Sequence, residues 1–477
     1  MRYLSTRDGR ADPATHTFED VLLAGLAEDG GLYVPQGLAA LDGAGLRALA
    51  GLSYAELAAR VMALFTGEAF DIAELRRLSE TAYGNFRHAA VAPLVQLDDR
   101  LWLLELFHGP TLAFKDLALQ LVGLMFDAVL ARQGEHVTIV GATSGDTGSA
   151  ALAACRDKAA LDIFMLYPEG RISEVQRRQM TTVDAANAYA LAIDGTFDDC
   201  QDIVKALFAD RRLRRELKLS AVNSINFARV AAQIVYYLAA GLALGAPARP
   251  VSFSVPTGNF GNVYAGHLAR ALGLPIERLV LGTNTNDILA RYLETGAMTI
   301  APVVPSLSPS MDIQVASNFE RLLFELKDRN GGAVAAALQA FRQTGALPAD
   351  EQSWRRARGM FAGHRVDDRM TLDTMADTYR RSGVFIDPHT AVAVAAARIE
   401  MAGDSGATPM VAFATAHPAK FPDAVERATG IRPALPPALA LLIDKRERIT
   451  LLPNDVGAVA RFVRAHARRT QPNLGAA

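Results

Sequence analysis

The sequence predicts an α/β protein in which mostly parallel sheets are covered by helices, and three observations carry that expectation. From Leu101 onward, short apolar runs alternate with amphipathic stretches. HVTIV, LDIFMLY, AYALAI, VSFSV, RLVLGT and MVAFAT have the length and apolarity of buried strands. Between them SAALAACRD, SEVQRRQM, FDDCQDIVKALFAD, FARVAAQIVYYLAAGLAL and NVYAGHLARALGL carry apolar residues at helical spacing. This alternation implies βαβ units, whose ligands gather at the C-terminal ends of the strands. The second observation is a different rhythm in residues 1–95, where FEDVLLAGLA, AGLRALAGLSYAELAARVMALF and DIAELRRLSETAYGNF read as helices interrupted by Gly30, Gly31 and Pro35. Third, half of the 477 residues are hydrophobic and 21% are charged, which suits two or three packed domains of about 150 residues each.

Composition also narrows the function. Against 51 acidic residues stand 49 basic ones, a formal net charge of -2, which excludes a disordered chain and argues against a nucleic-acid partner. The longest apolar stretch, 234–246, is shorter than the roughly 20 residues of a membrane span and reads as a buried helix. The first twenty residues scatter their charges and lack a signal-type apolar region, so a cytoplasmic protein is expected. Cys155 and Cys200 are the only cysteines, too few for a disulfide framework or a CxxC zinc site. Of the 49 basic residues only seven are lysines, so a lysine in an apolar setting stands out.

Three segments carry the chemistry. In PTGNFGN, 256–262, small residues lie between a strand and a helix, where converging N–H groups and the helix dipole can hold a phosphate. A plain glycine turn explains Gly258 and Gly261 equally well, and neither GxxxxGK[ST] nor GxGxxG is present. In GATSGDTGSA, 141–150, Thr143, Ser144, Thr147 and Ser149 crowd a helix N-terminus suited to a carboxylate. Ser144, Asp146 and Thr147 would also serve simply as caps. Lys115 lies between Phe114 and Asp116 in a strongly apolar stretch, where burial favours a nucleophilic amine, although a lysine snorkelling out of the helix or pairing with Asp116 would also fit. Asp387 and Pro388 read as the N-cap and first residue of a helix, which leaves His389 a structural role. No histidines have metal-ligand spacing, so no metal is expected. A lysine, a phosphate cradle and an anion loop at strand ends fit pyridoxal phosphate, carried by Lys115 and held at its phosphate by PTGNFGN.

In order along the chain, YLSTRD, LLAGLAEDGGLYVP, HGPTLAFKD, GATSGDTGSA, VNSINFARVAAQIVYY, PTGNFGN, SPSMDIQVASNFERL, IDPHT and ATAHPAKFPDAV resemble the threonine synthase family in its longer bacterial and fungal form. The resemblance implies the tryptophan synthase β-like fold, pyridoxal phosphate fold type II, with two three-layer α/β/α domains and an N-terminal, mainly helical domain. It places the helical domain at 1–95, a large cofactor-binding domain at 96–120 and 226–477, and a small domain at 121–225. It also implies conversion of O-phospho-L-homoserine and water into L-threonine and inorganic phosphate, by a monomer or small homo-oligomer with no nucleic-acid or membrane partner.

Residue by residue, the resemblance makes Lys115 the cofactor-bearing amine and proton carrier. It makes Gly258, Asn259, Phe260, Gly261 and Asn262 the clamp on the cofactor phosphate, and Thr415 the hydroxyl at the pyridine nitrogen. Ser144 and Thr147 would receive the substrate carboxylate, and Asn223, Ser224, Asn226 and Arg229 the substrate phosphate. Asp146 stands where many relatives of the fold place asparagine against the cofactor's ring hydroxyl, and the longer threonine synthases share this SGDTG. A dehydratase of the same fold would need no second anion pocket, and a phosphohomoserine lyase would eliminate phosphate without hydration.

Overall fold

Strand Val251–Pro256 shows why the apolar runs become a sheet covered on both faces. Its residues 251–255 are all buried, and successive side chains point to opposite sides. Ser254 donates its hydroxyl to Ala393 O, 2.7 Å away in helix Pro388–Ala402. Phe253, one residue earlier, turns the other way and meets the ring of Tyr237 in helix Phe227–Ala243, centroids 4.9 Å apart. The computed structural model describes residues 1–220, 224–403 and 406–468.

The described chain divides into two units. The first comprises Met1–Leu22, Leu26–Ala118 and Ser224–Ala434. Its six-stranded sheet runs in the order Phe361–Arg365, Ile276–Thr283, Val251–Pro256, Met410–Ala414, Leu101–Glu105 and Leu94–Gln96, parallel throughout except for the last strand. The apolar stretch 234–246 proves to be the second half of helix Phe227–Ala243, buried on nearly every side and ending three residues early. Helices Tyr54–Thr66 and Ile72–Tyr83 start where Ser53 and Asp71 cap them with side-chain oxygens. The N-terminal segment is part of this same unit, because its aromatic residues pack on the central helix: Tyr3 and Phe65 both meet the ring of Phe227.

The second unit comprises Leu23–Gly25, Leu119–Asn223 and Leu435–Ala477. Its sheet is wholly parallel, in the order Thr450–Pro453, Ala188–Asp194, Leu161–Pro168, Val137–Ala142 and Leu219–Ser220. Here too alternate residues serve opposite faces. Val140 joins Ile203 and Leu207 of helix Phe197–Ala209, whereas Ile139 shares a small apolar space with Val122, Phe126 and Ala154. The C-terminal stretch lies in this unit and not with residues 226–434. Strand Thr450–Pro453 pairs with Ala188–Asp194, and Val459 and Val463 enter the same core.

The mixed α/β architecture with a helical N-terminal region is therefore the one the sequence predicts. No described helix is long and apolar enough to cross a membrane. Phe253 is fully buried among Tyr237 and Phe413. Phe253→Ala should cost about 3–5 kcal/mol, read from the chemical denaturation midpoint. A loss below about 1 kcal/mol would contradict the packing described.

Candidate active site

Lys115 owes its position to backbone hydrogen bonds. Beyond the parallel strands Leu101–Glu105 and Met410–Ala414, the two chains continue side by side. Leu106 N–H donates to Ala414 O at 2.9 Å, Phe114 N–H to Thr415 O at 2.8 Å, and His417 N–H to Leu112 O at 3.1 Å. Ala113 and Ala416 form an isolated antiparallel bridge between these contacts. Leu112 adopts a left-handed φ of 59° to turn the chain. Asp116, fully buried, secures that turn by accepting the N–H and the hydroxyl of Thr111, both at 2.7 Å. Burial pushes the Asp116 carboxyl up to about 6, against the opposing pull of the Thr111 bonds. Fully buried Lys420 donates to Thr111 O at 2.9 Å. Lys115 begins helix Lys115–Gln133 and is 7% exposed, its Nζ 5.0 Å from the centre of the Phe114 ring. Buried Thr415 is thus brought beside the segment that carries Lys115.

The 256–262 loop links strand Val251–Pro256 to helix Gly261–Ala271. Phe260 takes a left-handed φ of 63° at the helix start, held there by its ring contacts with Phe319 and Phe361. The helix has no side-chain cap. A Cβ on Gly258 would lie 3.0 Å from Ser310 O, and one on Gly261 3.1 Å from Asn318 Nδ2. Asn262 accepts the hydroxyls of Tyr236 and Tyr237 at its Oδ1, while its Nδ2 is buried without a partner among the described residues. An uncapped helix start, a tightly enclosed glycine loop and an orphaned donor fit a bound phosphate group.

Arg229 sits in the first turn of helix Phe227–Ala243, seven residues before Tyr236 and hence on the same stripe. It is buried, and its Nη1 has no partner among the described residues. Burial pulls its guanidinium down to about 10, which leaves it charged at neutral pH. Asn226 is the N-cap: Oδ1 accepts Ala228 N–H at 3.0 Å, and Nδ2 donates to Leu22 O at 2.9 Å. Half-buried Ser224 offers its carbonyl to Asn318 Nδ2 at 3.0 Å. Asn223 lies outside the described residues.

The 141–150 loop belongs to the second unit and is described there alone. The cap of helix Asp146–Cys155 is none of the three residues that sequence reasoning offered for it. Gly145, at φ 131°, is the N-cap, and the buried Thr143 hydroxyl accepts Gly145 N–H at 3.0 Å and Gly148 N–H at 2.8 Å. Half-buried Ser144 and Thr147 are released from that duty. Buried Asp146 accepts Gln176 Nε2 at 2.9 Å.

The first unit therefore brings together Lys115 with Thr415, and the 256–262 loop with Ser224, Asn226 and Arg229. Sequence reasoning missed Asn318, Tyr236, Tyr237 and Lys420 as supports. A buried stripe that mixes tyrosines with alanines was a signal for the tyrosines, since a buried hydroxyl needs a partner. Asp387 caps its helix as the sequence predicts. It also binds His389 Nδ1 at 2.7 Å, leaving Nε2 to accept Ser310 N–H at 3.3 Å.

The fold and these residues define a class that the comparisons identify. Residues 86–352 match the family described as pyridoxal-phosphate dependent enzyme. Residues 2–83 match threonine synthase N terminus, and 390–463 match threonine synthase, C-terminal. The chain is 54% identical over 473 residues to the threonine synthase of Pseudomonas aeruginosa, covering 99% of this chain and 100% of that one. It is 42% identical over 476 residues to that of Corynebacterium glutamicum, covering 97% and 98%. The crystal structure of pyridoxal phosphate-bound threonine synthase from Brucella melitensis superposes with a TM-score of 0.95 at 50% identity, covering 98% and 100%. The yeast enzyme gives 0.93 at 39%, covering 98% of each chain. The chain belongs to the threonine synthase family, and its cofactor is pyridoxal phosphate.

His417, beside the Lys115 segment, is pulled down to about 4 by burial, with His108 adding repulsion. Its Nδ1 accepts Ala419 N–H at 3.1 Å. A histidine whose folded pKa lies below its unfolded value stabilises the protein above about pH 6.5, and that contribution is lost as pH falls toward 4. Wild type should therefore lose up to about 2 kcal/mol more than His417→Asn, which keeps an acceptor, between pH 7.5 and 5. Equal losses in denaturation scans of the two proteins would contradict the burial of a neutral imidazole.

Proposed function

We propose that this enzyme removes phosphate from O-phospho-L-homoserine and adds water to the remaining carbon skeleton, giving L-threonine and inorganic phosphate. The carrying observation is Arg229: a buried, charged guanidinium whose Nη1 has no partner among the described residues calls for a second anion besides the cofactor phosphate. A hydroxyamino-acid dehydratase of the same fold has no use for that site.

Gly258, Asn259, Phe260, Gly261 and Asn262 hold the cofactor phosphate in this reading, and Thr415 offers its hydroxyl to the pyridine nitrogen. Bound pyridoxal phosphate supplies the electron sink that makes the substrate's α proton removable. A neutral hydroxyl at the ring nitrogen moderates that sink more than a carboxylate would. Lys115 carries the cofactor, and its freed amine, which holds one added proton at a time, serves as the base at Cα and Cβ and as the acid at Cγ and Cα. Its burial shields the amine from bulk water.

Arg229 binds the substrate phosphate with charge-assisted hydrogen bonds. Asn226, with its Oδ1 spent on the helix start, aims Arg229 and keeps one Nδ2 hydrogen for the phosphate. Ser224 completes that pocket. In the second unit, Ser144 and Thr147 have hydroxyls suited to the substrate carboxylate, and Asp146 is assigned to the cofactor's ring hydroxyl. The substrate is a phosphate monoester dianion that does not cross membranes, so the reading places the enzyme in the cytoplasm where such esters are made. No nucleic-acid or membrane partner enters, and a monomer or small homo-oligomer suffices.

The test is an assay in which phosphate and threonine appear in equal amounts from phosphohomoserine. Release of 2-oxobutanoate in place of threonine would replace the synthase by a lyase. Lys115→Ala should lose the visible absorbance of the lysine-bound cofactor and at least about 10³-fold in turnover. Arg229→Lys forfeits a bidentate contact of about 1.5–3 kcal/mol, so KM for phosphohomoserine should rise about 10–150-fold in steady-state assays. An unchanged KM would remove Arg229 from the phosphate pocket.

A further inference from the structure

Two polar residues at the start of helix Phe319–Leu326 are fully buried, and each must find its partners inside the protein. Asn318 Nδ2 donates to Ser224 O and to Asn259 O, both at 3.0 Å, and Asn318 N–H also reaches Asn259 O at 3.1 Å. One side-chain amide thus bridges the 256–262 loop and the segment that leads into Arg229. The amide cannot be reversed, because its Oδ1 accepts Arg321 Nη1. Arg321 is itself fixed on carbonyls: Nε donates to Tyr33 O at 2.9 Å, and Nη2 to Ile225 O at 2.6 Å. Its neighbour Glu320 turns elsewhere, to Thr6 and Arg7.

We propose that Asn318 is a positioning residue that sets the separation of the two anion cradles, with Arg321 fixing the amide so that its donor side faces both loops. This deepens the reading under Proposed function and rests on it. A substrate attached at one end to the cofactor and carrying phosphate at the other is sensitive to that separation, so one bridging amide tunes affinity for both groups together. Both Nδ2 hydrogens of Asn318 and its Oδ1 are engaged by the protein, which leaves it to act through its neighbours. Its effect passes through the carbonyls of Ser224 and Asn259.

Asn318→Asp is the sharp variant. It keeps the size and the acceptor for Arg321, but it presents no side-chain N–H to either carbonyl, leaving only the backbone N–H on Asn259 O. The purified holoenzyme should then lose cofactor on dilution, followed by visible absorbance, with a dissociation constant raised at least tenfold. The inhibition constant of inorganic phosphate, measured in the synthase assay, should rise at least tenfold as well. Leu322→Ala, on the same helix and fully buried, is the control for plain destabilisation. It should lower the melting temperature yet move both constants less than twofold. Asn318→Ser, whose short hydroxyl cannot span both carbonyls, carries the same test if the aspartate variant does not accumulate folded.

A paired rise in Asn318 variants, absent from Leu322→Ala, supports the proposal. A rise in one constant alone, or a fall in melting temperature with both constants unmoved, overturns it. Wild-type protein that makes no threonine would instead sink the underlying reading, so the two failures are told apart.

Discussion

Three backbone hydrogen bonds, from Leu106, Phe114 and His417, govern where Lys115, the amine proposed to carry the cofactor, can be. They extend the pairing of Leu101–Glu105 with Met410–Ala414 beyond the end of the sheet, through the Ala113 to Ala416 bridge. Parallel strands already deliver their C-terminal ends to one edge. The bridge then binds the loop after one strand to the loop after the other, so Lys115 and Thr415 share a frame made of main chain. Such a frame tolerates side-chain change but not a shift of register. Asp116 and Lys420 both grip Thr111 from buried positions, and so hold the turn that precedes the bridge.

The first unit also manages an unusual set of interior cations. Arg229, Arg321 and Lys420 are all buried. Charge in a low-dielectric interior must be compensated by hydrogen bonds or by a counter-ion. Arg321 meets carbonyls and an amide, and Lys420 meets the Thr111 carbonyl. Arg229 differs in leaving a guanidinium nitrogen without a partner among the described residues. Under the proposed function, the contrast separates cations that hold the fold from one left to meet an anion, and it supports Arg229 on physical grounds beyond family likeness.

Much of this was legible in the sequence, for identifiable reasons. Runs such as MVAFA and LDIFMLY are buried on both faces and carry apolar residues at nearly every position, which keeps them distinct from surface strands. Asp387 before Pro388 announced its helix. Strand Leu101–Glu105 was hidden because LWLLEL runs without a break into the apolar stretch around Lys115. Thr450–Pro453 was hidden by brevity and an exposed edge, which also concealed the unit to which the C-terminal stretch belongs. The support around the loops was the least visible. In NFER, asparagine, glutamate and arginine look like a solvated helix face, yet all three are buried. Only long-range partners such as Tyr33, Ile225 and Arg7 explain them, and pairings across such distances leave no local pattern.

The central claim is that one particular lysine of seven bears the cofactor. Borohydride reduction of the holoenzyme, which makes the cofactor–lysine linkage permanent, followed by peptide mapping, tests it most directly. The account predicts a single modified peptide carrying the label at Lys115. Label at Lys420, the other buried lysine, or at any of the remaining five, would contradict it.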